Sequence, residues 1–203
     1  DNKPDQKVAQ TFDEFESEVL SDQSPEKGMA YICAPLNSGV HYMHPDKYEG
    51  EYHWRLKNHV CERNFLPFDC DWFAAPEVFQ ELLLFAERYR GFGYTTASHQ
   101  STAPRARLIF AASRPVTRSE CEEVCRAIQE EMLATLGRDN VKLDESVYRG
   151  EQPVYTPVYT SQTYHFKGCL VDVDALLDKK YGAPNEKAPG LITTISPHTG
   201  FDA

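Results

Sequence analysis

Apolar positions recur at helical spacing in three long stretches of the chain. Phe12, Phe15 and Val19 follow Thr11 and Glu14, a capping-box spacing, and predict a helix to about Leu20. Pro76 opens a second helix to about Tyr89, with Val78, Leu82, Phe85 and Tyr89 on one stripe widened by Phe79, Leu83 and Ala86. Thr117 and Glu120 form another capping box, and Cys121, Val124, Cys125, Ile128, Met132 and Leu136 line the helix that ends at Gly137. A shorter helix is expected from about Val173 to Lys180, with Asp174 as its N-cap.

Strand patterns fill the intervals. Expected strands are 28–35, 64–72, 93–99, 105–112, a short piece at 141–144, and 153–158 and 164–170; residues 53–60 suit either strand or helix. Residues 36–50, rich in Asn, Gly, Pro and Asp, read as a loop. From residue 64 to about 144 the order is strand, helix, strand, strand, helix, strand. That order predicts a ferredoxin-like antiparallel sheet with two helices on one face and the other face open. The fold class is therefore α+β, with residues 11–180 as one domain that includes an N-terminal α/β unit, and tails at 1–10 and 181–203.

Candidate chemistry begins in Asn64–Trp72, where an apolar run ends in two carboxylates one residue apart. On a strand Asp69 and Asp71 share a side, and Phe68 and Cys70 meet the helices on the other. Adjacent carboxylates repel, so the pair calls for an arginine, a lysine or a divalent cation such as Mg²⁺ or Mn²⁺. Arg105 and Arg107 alternate against Ala106 and Leu108, which places them on the carboxylate side. Asp144, after Leu143, is a third acid, suited either to the same site or to a turn with Ser146.

Charge sharpens the picture. The chain has 203 residues and a formal net charge of −10, which by itself argues against coating nucleic acid. Yet residues 88–119 hold no Asp or Glu and six arginines, Arg88, Arg90, Arg105, Arg107, Arg114 and Arg118, and so predict a local anion-binding surface. Six cysteines without a C-x-x-C pair, several in apolar segments, point to reduced buried thiols. No apolar run has membrane-spanning length and no signal-peptide pattern opens the chain, so a cytoplasmic protein is expected. The lack of an initiator Met is that of a processed or excised piece.

Together these phrases resemble a known family. Phe68-Asp69-Cys70-Asp71, then Ala97-Ser98-His99, then Leu143-Asp144 are similar to the three ordered motifs of the archaeo-eukaryotic primase superfamily. Y-T-T-A-S-H, S-R-P-V-T-x-x-E and Y-R-G-E-Q-P-V-Y-T-P resemble the primase and primase-polymerase domains of phages, plasmids and integrated elements, over about residues 10–180. The resemblance implies a two-lobed primase-like domain that joins nucleoside triphosphates (NTP or dNTP) on a single-stranded DNA template. It assigns Asp69, Asp71 and Asp144 to two Mg²⁺ or Mn²⁺ ions and His99 to the incoming triphosphate, and it leads to the expectation of a fused or associated helicase or primase C-terminal module. Charge and strand alternation add Arg105 and Arg107 as nucleotide contacts and Arg149 and Arg114 as template contacts.

Two other classes fit parts of the pattern. A non-catalytic single-strand-binding domain has no use for three acids beside phosphates, and a metal-dependent nickase requires a His-hydrophobic-His pair that the chain lacks. His41, His44, His53 and His59 have no accompanying C-x-x-C and read as exposed loop histidines. Tyr148, Tyr155, Tyr159 and Tyr164 suit either stacking on bases or packing on strands. A second D-x-D, Asp172 and Asp174, comes too late in the order to join the site.

Overall fold

The computed structural model describes residues 11–181, so the expected tails lie outside the described residues apart from the last position of the final helix. Helix α1 (Phe12–Ser21) carries the complete capping box, with Glu14 N–H donating to Thr11 Oγ1 at 3.1 Å and Thr11 N–H to Glu14 Oε2 at 3.0 Å. Strand β1 (Ala30–Tyr31) is much shorter than expected, and residues 53–60 form neither strand nor α-helix, only a 3-10 turn at Lys57–His59.

The body of the fold runs β2 (Arg63–Phe73), α2 (Pro76–Ala86), β3 (Arg90–Thr95), β4 (Ala106–Val116), α3 (Arg118–Leu136) and β5 (Val141–Leu143). Then come β6 (Val154–Tyr155), β7 (Thr163–Lys167) and α4 (Val173–Tyr181). The main sheet has the order β5-β2-β4-β3-β7 with every neighbouring pair antiparallel, which is the ferredoxin-like arrangement extended by one edge strand. Its helix-facing side chains, Leu66, Phe68, Cys70, Leu108 and Phe110, pack with Leu82 and Phe85 of α2 and Val124, Ile128 and Met132 of α3.

The opposite face is not open. Phe65, Phe92, Tyr94 and Ile109 form a second core with Phe12, Phe15 and Val19 of α1 and with Tyr31 and Val154 of the β1–β6 pair. Phe15 stacks on Phe65 with ring centroids 4.0 Å apart and planes 2° apart. A ten-residue amphipathic helix must bury its stripe somewhere, and the aromatic side of this sheet supplies the surface.

Other boundaries moved for local reasons. β3 ends at Thr95, and Thr96–His99 form a turn closed by His99 N–H on the Thr96 carbonyl at 2.9 Å. Beyond it Gln100 and Ala103 exchange backbone hydrogen bonds at the hairpin tip. At α4, Asp172 rather than Asp174 is the cap, accepting Ala175 N–H at 3.0 Å, and Asp174 instead pairs with Arg114. The histidine loop is also more buried than expected: His41 packs against Trp54 and Tyr48, and His59 is buried, whereas His44 is exposed. All six cysteines are free, and Cys33, Cys70, Cys121 and Cys125 are buried.

Candidate functional site

The three acids lie in one region, where β2 and β5 run side by side, near enough for the charges of Asp71 and Asp144 to act on Asp69. Cys70 registers with Leu143, and the Asp144 N–H donates to the Asp69 carbonyl at 2.9 Å, so the end of β5 is fastened beside the carboxylate strand. A register shift between Cys70 and Trp72 interrupts the alternation there and leaves Trp72 exposed while Phe73 returns to the helix core. Asp71 is half-exposed and Asp144 exposed, but Asp69 is 5% exposed.

Asp69 is held by Arg107, its partner in register on β4. The guanidinium donates to Oδ2 from Nε at 2.9 Å and from Nη2 at 2.6 Å, and its Nη1 reaches the Tyr155 carbonyl at 3.3 Å. That carbonyl also accepts the Tyr94 O–H at 2.6 Å, and the Tyr94 and Tyr31 hydroxyls lie 3.0 Å apart. Burial raises the Tyr94 phenol well above its ordinary range, which keeps its proton available for donation. A chain of contacts thus ties the sheet to the N-terminal unit at Asp69. Nothing in the sequence marks Tyr94 or a backbone acceptor such as the Tyr155 carbonyl, because both contacts join distant segments.

The Asp69 Oδ1 is buried without a hydrogen-bond partner. Burial raises the Asp69 pKa above its ordinary value, Arg107 offsets part of that rise, and the charges of Asp71 and Asp144 add to it. This is a carboxylate that Arg107 satisfies at one oxygen only. Asp144 plays the turn role that Ser146 suggested: Oδ1 accepts Ser146 N–H and Oδ2 accepts Ser146 Oγ–H, both at 2.8 Å, capping a 3-10 turn at Glu145–Tyr148. Among the described residues no group of three or more His, Cys, Asp or Glu side chains is gathered closely enough to hold a metal ion.

The remaining candidates divide by place. Arg105 lies 3.8 Å from Asp71, and its backbone N–H donates to His99 Nδ1 at 3.2 Å, so His99 stands at the site's rim in a turn and not on a strand. With Nδ1 accepting, the neutral ring carries its proton on Nε2. The His99 ring also lies 5.7 Å from that of Phe79. Arg149 is exposed, with its Nε on the Ser146 carbonyl. Arg114 is elsewhere: seven residues along β4 from Arg107, roughly 23 Å at strand rise, it is bound to Glu120 and Asp174.

The arginines expected to form an anion-binding surface all have acidic neighbours. Each arginine of the acid-free stretch meets an acid from another segment: Arg88 with Glu131, Arg90 with Asp13, Arg105 with Asp71, Arg107 with Asp69, Arg114 with Glu120, and Arg118 with Glu151. Charge that is segregated along the chain is neutralised across it. Of the tyrosines, Tyr148 is fully buried with its O–H on Gln129 Oε1, Tyr159 is exposed, and Tyr155 lies under the Lys27 ammonium at 4.2 Å.

Comparison with known proteins places this geometry in context. A family profile described as the VapE N-terminal domain matches residues 50–182. The AEP domain of the primase-polymerase of cyanophage S-2L is similar in structure, at a TM-score of 0.45 and 11% identity, over 81% of this chain and 94% of that one. No curated protein matches the chain. No helix among the described residues is long and apolar enough to cross a membrane.

Proposed function

The chain belongs to the VapE N-terminal domain family, and from that premise we propose that it is a nucleotidyltransferase of the primase or primase-polymerase kind, making primers on single-stranded DNA. The observation that carries the reading is the placement of Asp69, Asp71 and Asp144 within one another's electrostatic reach at the β2–β5 junction, with Asp144 N–H bound to the Asp69 carbonyl. The reaction joins a 3′-hydroxyl oxygen to the α-phosphorus of an incoming nucleoside triphosphate and releases pyrophosphate.

The donor set suits a hard cation. Asp69 Oδ1 is an unsatisfied acceptor, and two further carboxylates raise its electrostatic strain. Mg²⁺ and its substitutes keep several waters and bind through one or two carboxylates plus substrate phosphates, so no closed protein cage is required beforehand. Asp69, Asp71 and Asp144 would hold two Mg²⁺ or Mn²⁺ ions, which when bound supply activation of the hydroxyl and charge neutralisation at the phosphates.

The chain's own groups then take distinct parts. Arg107 fixes the Asp69 carboxylate through Oδ2 and leaves the buried Oδ1 as its unpartnered oxygen, which is preorganisation by an ion pair. It is a positioning residue in this scheme, and the phosphate contact falls to Arg105, exposed and only loosely paired. His99 offers its Nε2–H to a triphosphate oxygen from the hairpin turn. Asp71, half-exposed, is free to reorient toward an arriving cation.

The test is primer synthesis on single-stranded DNA with labelled nucleotides and Mg²⁺ or Mn²⁺, with and without a primer. Asp71→Asn should abolish incorporation and leave thermal unfolding unchanged, since its side chain is half-exposed. Asp69→Asn should abolish it too, but at a cost in stability of about 1–3 kcal/mol because Arg107 loses its counter-charge in a buried place. Near-normal synthesis by Asp71→Asn would remove the carboxylates from the reaction. A second reading, a non-catalytic single-strand binder, draws on the structural work Asp69 and Asp144 already do; it requires calorimetry to detect no Mn²⁺ binding by the unaltered chain.

A further inference from the structure

We propose that Trp72 and Lys142 form a stacking platform that holds one base of a single-stranded nucleic acid, and its phosphate, beside the carboxylates; the ligand, though not the platform's position, rests on the reading above. Trp72 follows Asp71 directly on β2 and is 43% exposed. It registers with Lys142 on β5, whose ammonium lies 5.2 Å from the indole centroid. Phe73 points into the helix core, and the register shift after Cys70 turns the indole away from it. Lys142 in turn stands two residues before Asp144, so platform and carboxylates occupy consecutive steps of the same two strands.

Of the two tryptophans only Trp72 is exposed, and the cation beside it is without a carboxylate partner among the described residues. The other tryptophan, Trp54, is 4% exposed and packed among Tyr48, Tyr52 and His41, so the fold buries an indole where burial is its purpose. Among the described residues neither Lys142 nor Arg149 has a carboxylate within 4.0 Å, whereas the arginines of residues 88–119 are all ion-paired. A protein partner would have to bury Asp71 and Lys142 to cover one ring. A nucleobase covers the ring alone and lets its phosphate meet the ammonium, which is how single-strand binders combine aromatic faces with cations.

The chain has two tryptophans, so intrinsic fluorescence reads the platform directly. The unaltered chain and Trp72→Phe are titrated with a fluorescein-labelled oligothymidylate in chelator, without divalent ions or nucleotide, following tryptophan emission and label anisotropy together. Saturable quenching in the unaltered chain, absent in Trp72→Phe, is expected. Trp72→Phe should retain most of the affinity by anisotropy, and Trp72→Ala should bind about tenfold more weakly. Lys142→Ala should weaken binding and reduce its salt dependence. Binding by anisotropy with unchanged tryptophan emission and an unaltered Trp72→Ala affinity overturns the platform, and so does the absence of any binding. Primer synthesis persisting in either case would leave the nucleotidyltransferase reading standing. Conversely, quenching at Trp72 without synthesis would uphold the platform and sink that reading.

Discussion

At Arg63 a charge lies in the core without an acid. It is 3% exposed, and its Nε and Nη2 meet the Cys121 sulfur at 2.9 and 2.6 Å while Nη2 also donates to the Tyr148 carbonyl. A buried guanidinium needs an anion, and Cys121 is the group placed to provide one. Burial pushes thiols up, and Cys33 reaches about 12; at Cys121 burial is outweighed by Cys125, 3.8 Å away, and by Arg63, so its pKa falls below the ordinary 9.0 despite the opposing charge of Glu122. A lowered folded pKa contributes stability that is complete above the unfolded value and is lost as pH falls through the folded one. The stability gap between the unaltered chain and Cys121→Ser, measured by urea unfolding under reducing conditions, should therefore be larger at about pH 9.5 than at about pH 6.5. An equal gap at both would mean a neutral thiol. The apolar stripe identified Cys121 as a core residue, but its ionic partner lies 58 positions away and no local pattern could name it.

Among the elements, β3 shows how tightly the sheet is built around the site. An added Cβ at Gly91 would lie 2.4 Å from the Ile109 carbonyl oxygen and 2.8 Å from the Phe110 ring, and Gly91 registers with Phe110 across the β3–β4 ladder. Backbone cannot yield there without shifting the pairing that sets Arg107 opposite Tyr94. Gly91→Ala should cost at least about 2 kcal/mol in urea unfolding, in the range of overpacked cores. Gly28→Ala, where nothing lies within 4 Å, should be neutral within about 0.5 kcal/mol. Equal effects of the two would put the strand's constraint elsewhere. The helices around this strand were legible because caps and stripes are local: both capping boxes are intact, and α3 ends at Gly137 with φ +90. β3 begins at Arg90, before the start expected at Gly93, and the β4 backbone that makes glycine necessary at Gly91 comes from a segment too distant for any local pattern to signal.

On the scale of the whole molecule, the N-terminal unit closes the second face of the sheet and places the Tyr155 carbonyl against Arg107. Phe15 is the centre of that closure, touching Phe65, Phe92 and Tyr31. Phe15→Ala should destabilise by about 3 kcal/mol or more, typical of a lost core aromatic. It should also lower primer synthesis, because the contacts that hold Arg107 on Asp69 end in the same unit. A variant that is destabilised yet fully active per folded molecule would show that the N-terminal unit only supports the fold. The distribution of charge belongs to this scale as well: Arg90 reaches Asp13 on α1, and Arg118 reaches Glu151, so acidic and basic segments are consumed in holding the chain together. Such exposed and half-exposed pairs contribute little stability each, but they lower the positive charge that Arg90 and Arg118 offer to an anion.

What the sequence determined by itself was whatever depends on neighbours three or four residues apart, or on alternation along one strand. The four helices, the capping boxes, the β-α-β-β-α-β order and the common side of Asp69 and Arg107 are of this kind, because backbone geometry imposes those periods wherever the segment lies. Tertiary structure decided how that side is used: α1 covers part of it, Arg107 clamps Asp69 across 38 positions, and the hairpin turn carries His99 off the strand. Burial and ion pairing are set by which segments meet, and distant segments meet through packing of whole faces that no single stretch of residues encodes.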